Sequence, residues 1–166
     1  MTLDVKADYP EKEWVVQDFL DVEYIPLETN DEFITQGSVK AIGKRFVLVT
    51  NLLNDGNIFV FDRKTGKAVR KINRKGQGAE EYAFINGIIL DEEKDEMFVN
   101  SASNKKIFVY DLQGNFKRSF QHAEGAQYLD VFDYDADNLI CYDMSASYKD
   151  GQKRDCLLYT SDAADE

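Results

Sequence analysis

Short apolar runs punctuate the chain. Phe46-Val47-Leu48-Val49, Ile58-Phe59-Val60-Phe61, Met97-Phe98-Val99, Ile107-Phe108-Val109-Tyr110 and Leu139-Ile140-Cys141-Tyr142 are rich in β-branched and aromatic residues. They are continuously apolar rather than alternating, which predicts strands covered on both faces, and they are too short for helices. Between them lie Asn54-Asp55-Gly56-Asn57, Lys64-Thr65-Gly66-Lys67 and Gln113-Gly114-Asn115. These carry hairpin-turn chemistry, because Gly and Asn accept positive φ at little cost.

The pattern repeats. Asn57-Ile58-Phe59-Val60-Phe61-Asp62, followed by Gly66 and Ile72, matches Lys106-Ile107-Phe108-Val109-Tyr110-Asp111, followed by Gly114 and Phe120. Asp62 and Asp111 stand 49 positions apart, and Gly66 and Gly114 stand 48 apart. Upstream, Gly37 to Ile42 is echoed by Gly87 to Leu90, and a weaker third copy begins at Tyr128-Leu129-Asp130-Val131-Phe132. Each unit reads as four strands, A to D. Four strands per 40–50 residues is the signature of a propeller blade, whose twisted sheet buries both faces only by stacking on neighbours. The rival is an open β-sandwich; the internal period favours the propeller.

Ile72-Asn73-Arg74-Lys75-Gly76-Gln77-Gly78-Ala79-Glu80-Glu81-Tyr82, with Gly87-Ile88-Ile89-Leu90-Asp91, Met97-Phe98-Val99, Asn104 to Asp111 and Gly114, resembles the NHL repeat. With Val22 to Thr29 ahead of it, the chain is similar to six-bladed β-propeller proteins of Bacteroidetes, over about Asp18 to Tyr142. Asn73, Ala79-Glu80 and Asn100 depart from that pattern, and the third unit has Phe120 to Gly125 instead of a clear Arg-Lys-Gly-x-Gly turn. The resemblance implies an all-β fold, a partial β-propeller of about three four-stranded antiparallel blades from a six-bladed ring. Residues 1–36 are then N-terminal strands and a clasp, and 37–155 an incomplete propeller with blades near 37–72, 85–120 and 128–155. Gly76 and Gly78 are expected to let the chain cross from strand D of one blade to strand A of the next, with Tyr82 packed over the crossing. Asp62 and Asp111 are expected to accept N–H bonds in the C–D turns, and Asn104 to support a B–C turn. The clasp segment Val22 to Leu27 is expected to pair with a last blade outside this chain, and Trp14 to anchor the N-terminal strand.

The final eleven residues, Cys156 to Glu166, translate a DNA stretch resembling a transposase end and sequencing adapter, so 156–166 is read as an artefactual tail and the gene as continuing past Asp155. Leaving the tail out lowers the acid count from 31 to 28 and the net charge from −11 to −8. It also leaves Cys141 without a second cysteine. Hydrophobic residues at 43 % are enough for a packed core. The acidic balance argues against nucleic acid and anionic lipid as partners. No apolar run approaches the roughly 20 residues of a membrane span. No secretory signal is visible at the start, although the family resemblance points to a periplasmic or cell-surface lipoprotein whose signal is missing.

The chemistry-bearing motifs have bland readings. Asp133-x-Asp135-x-Asp137-Asn138 resembles the start of a calcium loop, but Met144 stands where the bidentate Glu belongs, so a hairpin turn is expected. Gly76-Gln77-Gly78 lacks the Gly-Lys-Ser/Thr of a P-loop. His122, the single histidine, reads as a loop residue, and Glu80-Glu81 and Glu92-Glu93 as solvated turns. No catalytic residue, metal or cofactor is assigned. The leading expectation is a non-catalytic binding or protein-interaction scaffold for a protein, peptide or glycan. Its docking face is formed by 51–56, 74–78 and 101–105, with Arg74, Lys75 and Asn104 as candidate binding residues. The alternative is part of a propeller lyase or hydrolase acting on glycans or peptides, with its catalytic groups largely outside this chain. An open blade face is expected to drive self-association.

Overall fold

A computed structural model describes residues 7, 8, 11, 13–135 and 138–145, and the backbone of Leu158–Asp162. Its strands form three antiparallel meanders. The first contains β1 (Ser38–Ile42), β2 (Phe46–Thr50), β3 (Asn57–Asp62) and β4 (Ala68–Asn73). The second contains β5 (Gly87–Asp91), β6 (Glu96–Ser101), β7 (Lys106–Asp111) and β8 (Phe116–Gln121). The third contains β9 (Tyr128–Asp133), β10 (Asn138–Asp143) and β11 (Leu158–Asp162), with β10 in the middle. The leading strands β1, β5 and β9 lie side by side in that order, so the sheets fan out from a common inner line as consecutive propeller blades. β11 falls in the tail that the sequence marks as artefactual. It pairs with β10 from Asn138↔Asp162 to Tyr142↔Leu158, a ladder that backbone groups alone can make.

Period-two alternation explains the continuous apolar runs. In β3, Ile58 and Val60 pack towards the second blade with Tyr82, Ile88, Met97, Val99, Phe108 and Tyr110. Phe59 and Phe61, on the other side of the same strand, pack against Phe33. In β7, Phe108 and Tyr110 face the first blade, whereas Ile107 and Val109 meet Val131, Leu139 and Cys141 of the third. Each such side chain contributes about 1.5–3 kcal/mol on burial, and no blade could collect that stabilisation alone. Cys141 is fully buried at this junction.

The two complete blades repeat in detail. Val69 and Lys117 are each an extra residue opposite β3 and β7, giving bulges at equivalent places in strand D. Asp62 Oδ1 accepts from the Lys64 and Thr65 N–H groups and the Thr65 hydroxyl at 2.7–3.1 Å. Asp111 Oδ1 accepts from the Gln113 and Asn115 N–H groups at 2.9 and 2.8 Å. Gly66 and Gly114 follow at φ 69° and 89°, the left-handed conformation that these turns require. The Thr65 hydroxyl and backbone hold the Asp62 carboxyl below its usual range.

Among the described residues no strand precedes β1. Trp14 is 53 % exposed and packs on Phe19 (ring centroids 4.5 Å apart) beside a 3-10 turn at Val16–Asp18, so it does not anchor a strand. Its apolar neighbours Val15, Val16, Phe19 and Leu20 are exposed as well. Further on, the Glu28 N–H reaches the Gly66 carbonyl at 2.8 Å, its carboxylate accepts from the Ala68 N–H at 3.0 Å, and Leu27 and Phe33 cover the outer face of the first blade. No helix of the described residues is long and apolar enough to cross a membrane.

Candidate functional site

The first D-to-A crossing, residues 74–86, lies against the B–C turns of both blades it joins. Asn54 donates to the Ala83 carbonyl and accepts from the Ile85 N–H, each at 3.4 Å. Asn104 Oδ1 accepts from the Ala83 N–H at 2.8 Å and the Ser101 hydroxyl at 2.6 Å, and Asn86 Oδ1 accepts from the Ala102 N–H at 2.8 Å. Tyr82 is fully buried beneath. Its hydroxyl donates to the Gly56 carbonyl at 2.7 Å and accepts from the Arg74 N–H at 2.9 Å, and burial pushes its pKa up to about 12. Gly76 is required by close approach: a Cβ there would overlap the Glu81 carboxylate, which also accepts from the Gly78 N–H at 2.8 Å. Glu81 is therefore part of the turn rather than solvated.

Arg74, Lys75 and Asn104 each engage a different backbone group. Arg74 Nε donates to the Gly114 carbonyl at 2.6 Å, in the C–D turn of the second blade. Lys75 Nζ donates to the Asn54 carbonyl at 2.6 Å. Asn104 serves the B–C turn and the crossing, as expected from sequence. All three bind the chain to itself.

This face also offers apolar side chains to solvent. Leu52 and Leu53, at the tip of the β2–β3 turn, are 76 % and 75 % exposed, and Phe84 on the neighbouring crossing is 44 % exposed. The tip is held from below. The Leu52 and Leu53 N–H groups donate to Gln36 Oε1 at 2.7 and 3.3 Å, the Gln36 N–H donates to Asn51 Oδ1 at 2.8 Å, and Asn51 Nδ2 donates to Asp55 at 2.7 Å. Asn57 gives Asp55 two more bonds. Burial opposes ionisation of Asp55, yet these donors hold its carboxyl below the usual range. Between the tip and Phe84 lies a pocket of about 160 Å³, and a groove of about 430 Å³ continues along β1, β5 and β9. The sequence reading placed 51–56 on this face but did not single out the two leucines, which it could have found as paired apolar residues inside turn chemistry.

The second crossing, residues 122–127, is built on His122, buried at 7 % exposure. Nδ1 accepts from the Tyr128 N–H at 3.2 Å, which leaves the proton on Nε2 to donate to Asn100 Oδ1 at 3.1 Å. Asn100 Nδ2 in turn reaches the Tyr128 and Leu129 carbonyls. Burial depresses the imidazole to about pKa 4. His122 is a loop residue, as read from sequence, but it locks two blades with both ring nitrogens engaged. Asn100, a departure from the NHL-like pattern, is its partner.

On the opposite face Glu92 bridges blades. Its carboxylate accepts from the Lys44, Arg45 and Phe46 N–H groups at 2.8–3.0 Å. Glu96, at 4 % exposure, makes a bidentate pair with Arg118 (2.7 and 2.8 Å) and a contact with Lys117 (2.6 Å), which hold it near pKa 2. Asp135 Oδ1 accepts from the Asn138 N–H (2.9 Å) and side chain (2.8 Å), closing the β9–β10 hairpin, while Asp137 lies outside the described residues.

A solved structure of a candidate exported protein from Bacteroides fragilis is similar to this chain, with a TM-score of 0.69 and 20 % identity. The match covers 89 % of this chain and 41 % of that one, so this chain spans less than half of its length. No curated protein matches. The family model described as "6-bladed beta-propeller" matches residues 3–166, and the chain therefore belongs to that six-bladed β-propeller family.

Proposed function

We propose that the chain is part of an NHL-like propeller that acts as a non-catalytic binding scaffold outside the cytoplasm, docking its partner on the face that carries the crossings. The carrying observation is the β2–β3 tip, where Gln36, Asn51 and Asp55 fix the backbone so that Leu52 and Leu53 project into solvent. A rigid apolar projection costs solubility and loses little entropy on binding, which suits a recognition element. The similarity to a candidate exported protein supports the location. Arg74, Lys75 and Asn104 shape this face more than they contact a partner.

Panning a random peptide library on the chain tests the reading. Peptides that bind the unmodified chain and lose at least about tenfold in affinity on Leu52→Ser/Leu53→Ser are expected. Selected peptides indifferent to that change would end it. The reading also includes self-association through the third blade, where Phe132 and Tyr134 are 56 % and 62 % exposed. Sedimentation should show concentration-dependent oligomers that Phe132→Ser/Tyr134→Ser reduces; a monodisperse monomer would refute it.

A further inference from the structure

The pocket beneath Leu52 and Phe84 holds two polar groups that the fold leaves unused. Thr50 is 4 % exposed, lines the pocket, and its hydroxyl has no hydrogen-bond partner among the described residues. A buried hydroxyl without a partner costs about 1–3 kcal/mol, a cost that a group entering the pocket would relieve. Lys40 lines the same pocket, half-buried, with no hydrogen-bond or ion-pair partner among the described residues. That is notable in a chain with 31 acids and 20 bases. Lys40 is also the extra residue of the β1–β2 bulge, between Val39 and Ala41, and bulges re-aim side chains beside functional sites. The hydroxyl-bearing Ser38 is the cross-strand partner of Thr50 and lines the pocket too. Asp55 shares the lining, but its oxygens are engaged by Asn51 and Asn57.

We propose that this pocket is a subsite for the carboxylate of an apolar peptide, with Lys40 and Thr50 donating to the carboxylate and Leu52 and Phe84 packing on the adjoining side chain. This inference rests on the docking-face reading and names the chemistry taken there. About 160 Å³ has room for a carboxylate and a few carbon atoms but not for a folded element. Leu52, Phe84 and Ile85 form the apolar part of the lining, and the side chain of a peptide fits them where a hydroxyl-rich uronic acid offers nothing apolar to pack there.

Calorimetric titration of the chain at pH 7 with N-acetylphenylalanine, N-acetylphenylalaninamide and glucuronic acid tests it. The acid should bind at least about tenfold more tightly than the amide, as a charge-assisted bond implies. Lys40→Met should erase that preference, and the near-isosteric Thr50→Val should weaken the acid alone by a few-fold. Equal affinity for acid and amide, no binding of either, or a preference that survives Lys40→Met would overturn the subsite. Tighter binding of glucuronic acid would overturn the peptide assignment. If the acid preference is absent while panned peptides still depend on Leu52 and Leu53, the subsite fails and the docking face stands.

Discussion

The two crossings do the same job with opposite chemistry. The first takes thirteen residues, 74–86, and closes over Tyr82; the second takes six, 122–127, and closes on His122. Tyr82 buries a phenol whose hydroxyl stays neutral across the whole physiological range. His122 buries a group that burial keeps neutral even in mild acid, where an ordinary imidazole takes up a proton. A long crossing has enough backbone to wrap a large side chain and fold Glu81 back onto Gly76 and Gly78. A short crossing has few backbone donors to spare, and one ring with a donor and an acceptor, seated on Asn100, ties three segments at once. The first junction is therefore expected to be indifferent to mild acid, and the second is not.

The largest effect falls on the first junction. Tyr82→Ala should cost about 4 kcal/mol by leaving a cavity between blades. Tyr82→Phe, which strands the Gly56 carbonyl and the Arg74 N–H, should cost about 1–2 kcal/mol. Urea unfolding at pH 7 measures both, and a Tyr82→Phe midpoint equal to the parent would show that the hydroxyl contributes nothing. Next comes acid. His122 has a folded pKa below its unfolded value, so its contribution is complete above about pH 6.5 and declines as the pH falls towards 4. The loss is about 3 kcal/mol at most. His122→Asn should flatten the stability profile in that window, and Tyr82→Phe should not. The smallest effect concerns Glu96, whose lowered pKa makes its contribution complete above about pH 4.5 and lost as the pH falls towards 2. Because Arg118 and Lys117 are partly exposed, Glu96→Gln should cost only about 1–2 kcal/mol at pH 7. A larger cost would mean that the ion cluster, not the histidine, dominates the acid response of the second blade.

Strand and turn positions were legible because their causes are local. A four-residue apolar run, or an Asp four places before a Gly as in Asp62 and Gly66, carries its own signal. The blade junctions were less so. Glu92 reaches Phe46 across 46 positions, and nothing around Glu92-Glu93 distinguishes a bridging carboxylate from a solvated one. Arg74 and Lys75 read in sequence as cations beside a glycine turn, yet carbonyls at Gly114 and Asn54 engage them. The unused groups, Lys40 and Thr50, sit in ordinary strand sequence; only the bulge and the packing of Phe84 and Leu52 give them a pocket.

The Glu92 bridge bears on the order in which a nascent chain matures. Three amide groups at the first hairpin, on Lys44, Arg45 and Phe46, wait for a carboxylate synthesised nearly fifty residues later. At ribosomal speeds of about 5–20 residues per second that delay is several seconds. Until it ends, the A–B turn of the first blade lacks its carboxylate, so the second blade completes the rim of the first as it emerges.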